Sequence, residues 1–476
     1  APEDYVSGRA LLFPPELHST AEAAAQDLMR SLTPDRARYM CVAKELASRA
    51  DSKEQWYATS YSLASIAPQT VDSWLRPEKL PEYELPKPNR YVPRDLSLRS
   101  TRVPAVEMAA EVERPPMLAA ENSQWQVYFK QDRAFGVPRG NVRIFLWMPQ
   151  GELGEDSILG RLWQLSLGDR FNEEFYDAGL AGFGIDVSTA ASGLSLSFSG
   201  YSDGLALLVR DVLCRIRDFE GPTPAEFDRS KDTVLRELQS FDILAPYTHA
   251  GYYTRLATTK PDNSIEELRQ QAAAASIQKV QQFSQRLRKG DLRSFGQALV
   301  LGNLDIDRDL PEIMESLKCL SFEGLEHDEF ARVRQLQLPA GSDALIARLD
   351  PNPANENSAL ACTYWIGSGQ RDAVFSELLT SILGDRFFTC LRTEQQLGYI
   401  VSAQLDRTGL VARLVLLVQS NSKAPDALLA AVEQFLEGFR RELAAMGEAQ
   451  LEKFRAALAE RILRRDERLA QEVSRW

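Results

Sequence analysis

Three histidines, His18, His249 and His327, are all the imidazoles this 476-residue chain carries, and no two lie within four residues of each other. A zinc site built on one helix needs two such ligands a turn apart, so no helix here can present the pair. The five cysteines, Cys41, Cys214, Cys319, Cys362 and Cys390, stand singly, with no C-x-x-C among them. They read as small core or surface residues rather than a disulfide framework, which favours a reducing compartment, the cytoplasm first. His249 sits in the aromatic run Tyr247-Thr-His-Ala-Gly-Tyr-Tyr253 and is expected to be a hydrogen-bonded packing histidine. There is no G-x-S-x-G elbow, and no cysteine has a local context that would activate it. Gly179-Leu-Ala-Gly-Phe-Gly184 follows a helix rather than a strand and lacks the Lys-Ser/Thr of a phosphate loop; its glycines suit a helix end. Glu173 and Glu174 belong to a charged helical face. No metal and no cofactor is expected in this chain, and nothing in it catalyses alone.

One segment has the residue types for work on a peptide, Leu391-Arg-Thr-Glu-Gln-Gln-Leu-Gly-Tyr-Ile-Val401. Arg392 is placed at a helix end and Tyr399 at the start of a strand, both at the corner between them, with Gly398 permitting an unusual backbone angle there. An arginine and a tyrosine held at such a corner can grip a peptide carbonyl or stabilise an oxyanion. The residues alone leave a second reading open, in which Arg392 caps a helix and Tyr399 is an ordinary strand tyrosine.

The surroundings limit the partners. Lys and Arg total 55 against 67 Asp and Glu, a net charge of -12, which argues against nucleic acid or an anionic membrane. Mean hydropathy is -0.29 and no apolar run reaches the length of a membrane span. With 44% hydrophobic and 26% charged residues, the chain can bury large cores, and its length calls for more than one domain. It begins at Ala1 without an initiator methionine and stops in a helix-like run, so both ends are expected to be cuts.

The elements that must position Arg392 and Tyr399 form a repeated series. Residues 1–78 show helical segments at Ala21–Leu32 and Pro68–Leu75, too little for an independent core, and read as the tail of a preceding domain. Residues 79–116 hold Pro81, Pro86, Pro88, Pro93, Pro104, Pro115 and Pro116, the density of an extended connector. Next come a strand at Asn141–Met148, a helix over about Ser157–Leu180, and the strictly alternating Leu194-Ser-Leu-Ser-Phe-Ser-Gly200, a half-buried strand. Helices at about Gly204–Asp218 and Thr223–Phe241 follow. The order then recurs: strand Ser358–Ile366, helix Asp372–Leu391, a hairpin of Tyr399–Gln404 and Leu410–Gln419 around Asp406-Arg-Thr-Gly409, and helices at Pro425–Met446 and Glu448–Trp476. Leu167-Gly-Asp-Arg-Phe171 reappears as Leu383-Gly-Asp-Arg-Phe387, and Gly193-Leu194 as Gly409-Leu410, each 216 positions further on. Residues 117–328 and 329–476 are therefore read as duplicated domains, the second incomplete at its C-terminus. Strands in hairpins with helices arriving afterwards predict an α+β fold, two antiparallel sheets each with helices packed on one face.

Leu391–Val401 resembles the R-T-x-x-Q-L-G-Y segment of the insulinase/pitrilysin family of zinc metallopeptidases. Gln55-Trp-Tyr-Ala-Thr-Ser-Tyr61, Asn89-Arg-Tyr-Val-Pro93, Tyr128-Phe-Lys-Gln-Asp132, Asn172–Gly182, Gly200-Tyr-Ser-Asp203, His249–Leu256 and Gln419-Ser-Asn421 resemble family stretches in the family's order. The resemblance implies four homologous domains in two halves that enclose a chamber for unfolded peptides, with zinc in the first domain on an H-x-x-E-H motif. This chain has no such motif. It corresponds to the end of the second domain, the third, and part of the fourth, with zinc and its half of the enzyme supplied from outside the chain. Arg392 and Tyr399 match the family's arginine and tyrosine that reach the substrate and assist its zinc site. The implied partners are the N-terminal zinc-bearing half and unfolded peptides; a homodimer stays open. The alternative is a catalytically inactive scaffold or peptide-binding protein on peptidase-like domains.

Overall fold

A computed structural model describes residues 18–476 apart from 77–86, 105, 150–151, 154–156, 261, 337, 340, 342 and 410. Part of the proline-rich stretch, Pro81 and Pro86 included, lies outside the described residues, as does Leu410. The chain divides into two compact units, residues 1–90 and 91–476.

In the first unit, helix α1 (His18–Ser31) and helix α2 (Pro68–Leu75) fall where helices are expected, with two-residue strands β1 (Ser52–Lys53) and β2 (Ser60–Tyr61) between them. Tyr39 and Trp74 bring their rings to 4.9 Å. None of the described residues from 18 to 90 is buried.

The second unit opens with helix α3 (Met108–Glu113) and strands β3 (Met117–Glu121) and β4 (Trp125–Gln131). The first copy of the repeat follows: β5 (Arg139–Trp147), α4 (Ser157–Glu174), α5 (Tyr176–Leu180), β6 (Gly184–Ala190), β7 (Gly193–Tyr201) and the helices α6 (Ser202–Asp218) and α7 (Pro224–Ser240). Alternation does what it promises. Leu194, Leu196 and Phe198 are buried and pair in register with Leu146, Ile144 and Val142, also buried. Against this face pack Leu162, Trp163 and Leu167 of α4 and Leu205, Leu208 and Val212 of α6. Each such side chain contributes roughly 1.5–3 kcal/mol by leaving water. Gly193 has φ +147°, and a Cβ there would lie 1.9 Å from the Leu146 carbonyl, so β7 can open on nothing larger. A capping box of Thr223 and Glu226 starts α7.

Then come α8 (Pro246–Thr258), β8 (Thr259–Lys260), α9 (Ile265–Ala274), α10 (Ile277–Lys289), β9 (Phe295–Gly302) and α11 (Asp309–Leu317). Strand β9 slots between β4 and β5, giving the six-stranded order β3-β4-β9-β5-β7-β6. The sheet is antiparallel apart from the β4–β9 pair, which is parallel.

After β10 (Arg334–Gln335), which pairs with β8, the series repeats: β11 (Ser358–Ser368), α12 (Gln370–Phe388), β12 (Ile400–Thr408), β13 (Val411–Ser420), α13 (Pro425–Ala444) and α14 (Glu448–Ile462). The order β11-β13-β12 reproduces β5-β7-β6: in both, a helix leaves the first strand and a hairpin returns its second strand onto the first. Leu167 and Phe171 are buried on α4, and Leu383 and Phe387 are buried at the matching places on α12. The shared arginine is ion-paired in both copies, though to unlike helices. Arg170 meets Glu226 in the first turn of α7, and Arg386 meets Glu442 in the last turn of α13. The matched glycines also share a reason, since Gly193 and Gly409 both have positive φ on the way into the returning strand. The turn is tighter than the sequence implies, because Asp406 and Arg407 still pair with Arg413 and Ala412 inside the ladder.

Three expectations need correction. The run Glu448–Trp476 is not one helix: α14 stops at Ile462, and after a break the chain forms α15 (Leu469–Arg475). Leu469 and Val473 of α15 cover Leu301 and Leu299, the apolar residues on the sheet face away from α4 and α6, so helices do not all lie on one face of the first sheet. The cysteines are not all unpaired. Cys214 on α6 and Cys319 just after α11 form a disulfide, Cα atoms 5.1 Å apart, across a sequence separation of 105 that hides the pairing from any spacing rule.

The described end of the proline-rich stretch is strapped down rather than free. Tyr91 is buried and donates to Asp211 at 2.9 Å, the backbone N–H groups of Arg94 and Asp95 donate to Asp203, and the Ser100 hydroxyl donates to the Asp132 carbonyl. Between Pro104 and Pro115 the chain still forms α3, which fits because neither proline falls inside it.

Candidate functional site

Helix α12 does not end in an ordinary cap. It widens into a π-helical segment, Thr389–Glu394, in which the Gln395 N–H donates to the Cys390 carbonyl and the Leu397 N–H to the Leu391 carbonyl. Short π segments inside helices recur at functional sites, because the extra residue pushes a side chain out of helical register. Leu391 and Leu397 are buried and pin this corner to the core formed by Leu414, Leu416 and Val418 of β13. Between those anchors the polar residues point outward. Arg392 is half-buried and Tyr399 is 80% exposed.

The backbone at the corner carries its strain at an unexpected residue. Gln396, not Gly398, takes a left-handed conformation, with φ +51°. Gly398 is needed for close approach instead: a Cβ there would lie 1.7 Å from the Gln419 carbonyl oxygen of β13. The role read from the sequence, freedom of backbone angle, belongs to the wrong residue. The Gln419 side chain in turn accepts from the Tyr247 N–H at 3.0 Å, tying the strand beside the corner to the start of α8.

The result brings the two expected residues together. The Arg392 guanidinium lies 5.0 Å from the Tyr399 ring centroid, a cation–π contact worth about 0.5–1 kcal/mol at an exposed site. They line an open cavity of about 600 Å³ with Phe388, Thr393, Gln396, Gly398 and Asn421. The Tyr399 hydroxyl has no hydrogen-bond partner among the described residues, so it is available to a ligand. Arginine offers N–H donors in a planar fork and tyrosine one O–H, the complement of a peptide carbonyl or a developing oxyanion. Thr393 and Gln396 lie within the segment Leu391–Val401 and Asn421 ends the stretch Gln419-Ser-Asn421, but neither they nor Phe388 had been given a site role from the sequence.

The histidines do not join this site. His249 is buried edge-on against Phe241, with ring centroids 4.6 Å apart. It packs against an aromatic ring as expected, and among the described residues no side chain or backbone group partners either ring nitrogen. His327 packs between Phe295 and Phe330. The side chain of His18 is not described. Among the described residues no group of three or more His, Cys, Asp or Glu could hold a metal ion, so these residues do not fit a zinc centre. Gly182, with φ +85°, ends α5, and Gly184 opens β6, as the helix-end reading requires.

Residues 1–271 match the family described as the middle or third domain of peptidase M16, and residues 378–476 match the C-terminal lobe domain 4 of PQQ synthase PqqF-like proteins. The chain is 26% identical to insulin-degrading enzyme of Bos taurus over 456 residues, covering 94% of this chain and 43% of that protein. It is 25% identical over 477 residues to the putative zinc protease mug138 of Schizosaccharomyces pombe, covering 99% and 48%. It thus spans less than half the length of these relatives. Among solved structures it resembles pitrilysin, with a TM-score of 0.71 at 20% identity over 89% of this chain and 44% of that one, which bears out the α+β repeat. On these matches and this fold, the chain belongs to the peptidase M16 family, the insulinase and pitrilysin group.

Proposed function

We propose that this chain is the non-catalytic half of a zinc metalloendopeptidase, forming part of the wall of a peptide-holding chamber and lending Arg392 and Tyr399 to the reaction. The observation that carries the proposal is the corner itself: the guanidinium of Arg392, on the π-helical turn, lies 5.0 Å from the ring centroid of the exposed Tyr399, and the buried Leu391 anchors that turn. Membership of a peptidase family supports it.

In this reading Arg392 donates to a backbone carbonyl of an extended peptide and fixes its register. Tyr399 donates its O–H to the scissile carbonyl oxygen as water adds to the carbon, where a preset donor is worth about 2.7–4 kcal/mol of barrier. The anchors Leu391 and Leu397 and the contact of Gly398 with β13 keep that donor from having to reorganise during the reaction.

The test is complementation. The 476-residue chain and the zinc-bearing half of the same enzyme are purified separately, and hydrolysis of a quenched fluorescent peptide is followed for each and for the mixture. The proposal expects cleavage on mixing and none from this chain. Zinc-dependent cleavage by this chain alone would overturn it; a mixture that binds peptide without cutting it would favour a scaffold.

A further inference from the structure

Beside the π segment, and sharing no lining residue with the Tyr399 cavity, α12, α13 and α14 leave an open groove of about 650 Å³. Its lining is of two kinds. Phe435 and Phe439, with rings stacked at 5.8 Å, and Phe454 of α14 give it an aromatic floor. Asp385, Glu394 and Glu442 stand among the lining residues as carboxylates. Arg386 takes up Glu442 in an ion pair, while Asp385 and Glu394 have no cationic partner among the described residues. Gly438 of α13 also lines the groove, and a Cβ there would meet no atom within 4 Å, so the space above the aromatic floor is empty of protein.

We propose that this groove binds a cation carried on an apolar body of side-chain size, an ammonium or guanidinium such as a free arylalkylamine or a basic peptide side chain presents. The charge argues for it, since the two unmatched carboxylates favour a cation and repel an anion. The floor argues for the body, because aromatic faces take both apolar groups and cations. A bare metal ion would leave the aromatic floor uncovered, and a neutral apolar ligand would leave the carboxylates unanswered. The groove does not depend on the role proposed for Tyr399. It is linked to that corner, however, because Glu394 ends the π segment that carries Arg392.

The experiment is calorimetric titration of the 476-residue chain with phenethylamine, with the acetylated and amidated dipeptide Phe-Arg, and with benzoate as the control of opposite charge. The expected dissociation constant for a cation is on the order of 1 mM, the range for so few ligand atoms, weakening as salt screens the carboxylates. Binding of the dipeptide alone would assign the site to peptide-borne cations, and binding of phenethylamine alone to small amines. Neutralising the rim with Asp385→Asn and Glu394→Gln is expected to weaken binding about fivefold, the reach of exposed charge pairs. Gly438→Leu, which fills the groove and raises helix propensity, is expected to abolish it while the thermal unfolding midpoint is kept or raised. Equal binding of benzoate, no binding of either cation, or undiminished binding in the folded Gly438→Leu variant would overturn the proposal.

Discussion

The Arg392 guanidinium lies over the Tyr399 ring although one residue sits in a π-helical turn and the other leads into a strand. What joins them is the shortest route between two buried leucines, Leu391 and Leu397, across a glutamine with positive φ. The pair is therefore a property of the corner, and each side chain can be changed without touching the core beneath it.

That separation yields the first prediction. Tyr399→Phe removes one exposed hydroxyl and leaves the ring under Arg392, so stability to urea should stay within about 0.5 kcal/mol of the parent. In the assembled enzyme kcat/KM should fall roughly ten- to a thousandfold, mostly in kcat if the hydroxyl acts on the transition state. Arg392→Lys keeps the charge but loses the fork, and should raise KM more than it lowers kcat. Parent-like turnover by Tyr399→Phe would remove the tyrosine from the mechanism.

The second prediction concerns the backbone. Gly398→Ala would place a methyl group where the Gln419 carbonyl already is, so β12 and β13 must part or the corner must shift. We expect a loss of about 2–4 kcal/mol in urea unfolding, in the range of other steric insertions, with loss of activity. Gln396→Gly relieves a left-handed non-glycine residue and should be neutral or stabilising by up to about 1 kcal/mol. Equal stability of Gly398→Ala and the parent would show that the Gln419 carbonyl does not press on this position.

How much of this could be read in advance follows from how local each cause is. Leu194-Ser-Leu-Ser-Phe198 announces its strand because the period of two acts between neighbours. The Leu-Gly-Asp-Arg-Phe repeat is legible because both copies bury the matching leucine and phenylalanine, on the corresponding helices α4 and α12. The left-handed backbone at Gln396 is not, since nothing in the neighbouring residues marks a glutamine rather than Gly398 for it. Nor are the parallel β4–β9 pair and the Cys214–Cys319 bridge, whose partners are brought together only by the completed fold. The docking of α15 hides for the same reason: Lys130 and Glu472, which secure it, are 342 positions apart.

That buried pair gives the third prediction. The Lys130 ammonium donates to Glu472 and to the carbonyls of Val112 and Arg114, and both charged side chains are almost fully enclosed. Burial pushes the Glu472 carboxyl up, and Lys130 pulls it back. Lys130→Met leaves the carboxyl buried without its counter-charge and should cost about 3–5 kcal/mol at neutral pH. The sign of the pH dependence follows from the raised value. The folded state then holds a proton that the unfolded state releases near the ordinary value of 4.5, so this group's contribution falls as pH rises through its folded pKa. The deficit of Lys130→Met should therefore shrink between pH 8 and pH 5 in urea titrations followed by tryptophan fluorescence. Removing both charges with Lys130→Met and Glu472→Leu should restore stability to within about 1 kcal/mol of the parent or exceed it. A double variant as unstable as the single one would mean that the carbonyl contacts of Lys130, rather than its charge pairing, hold α15 in place.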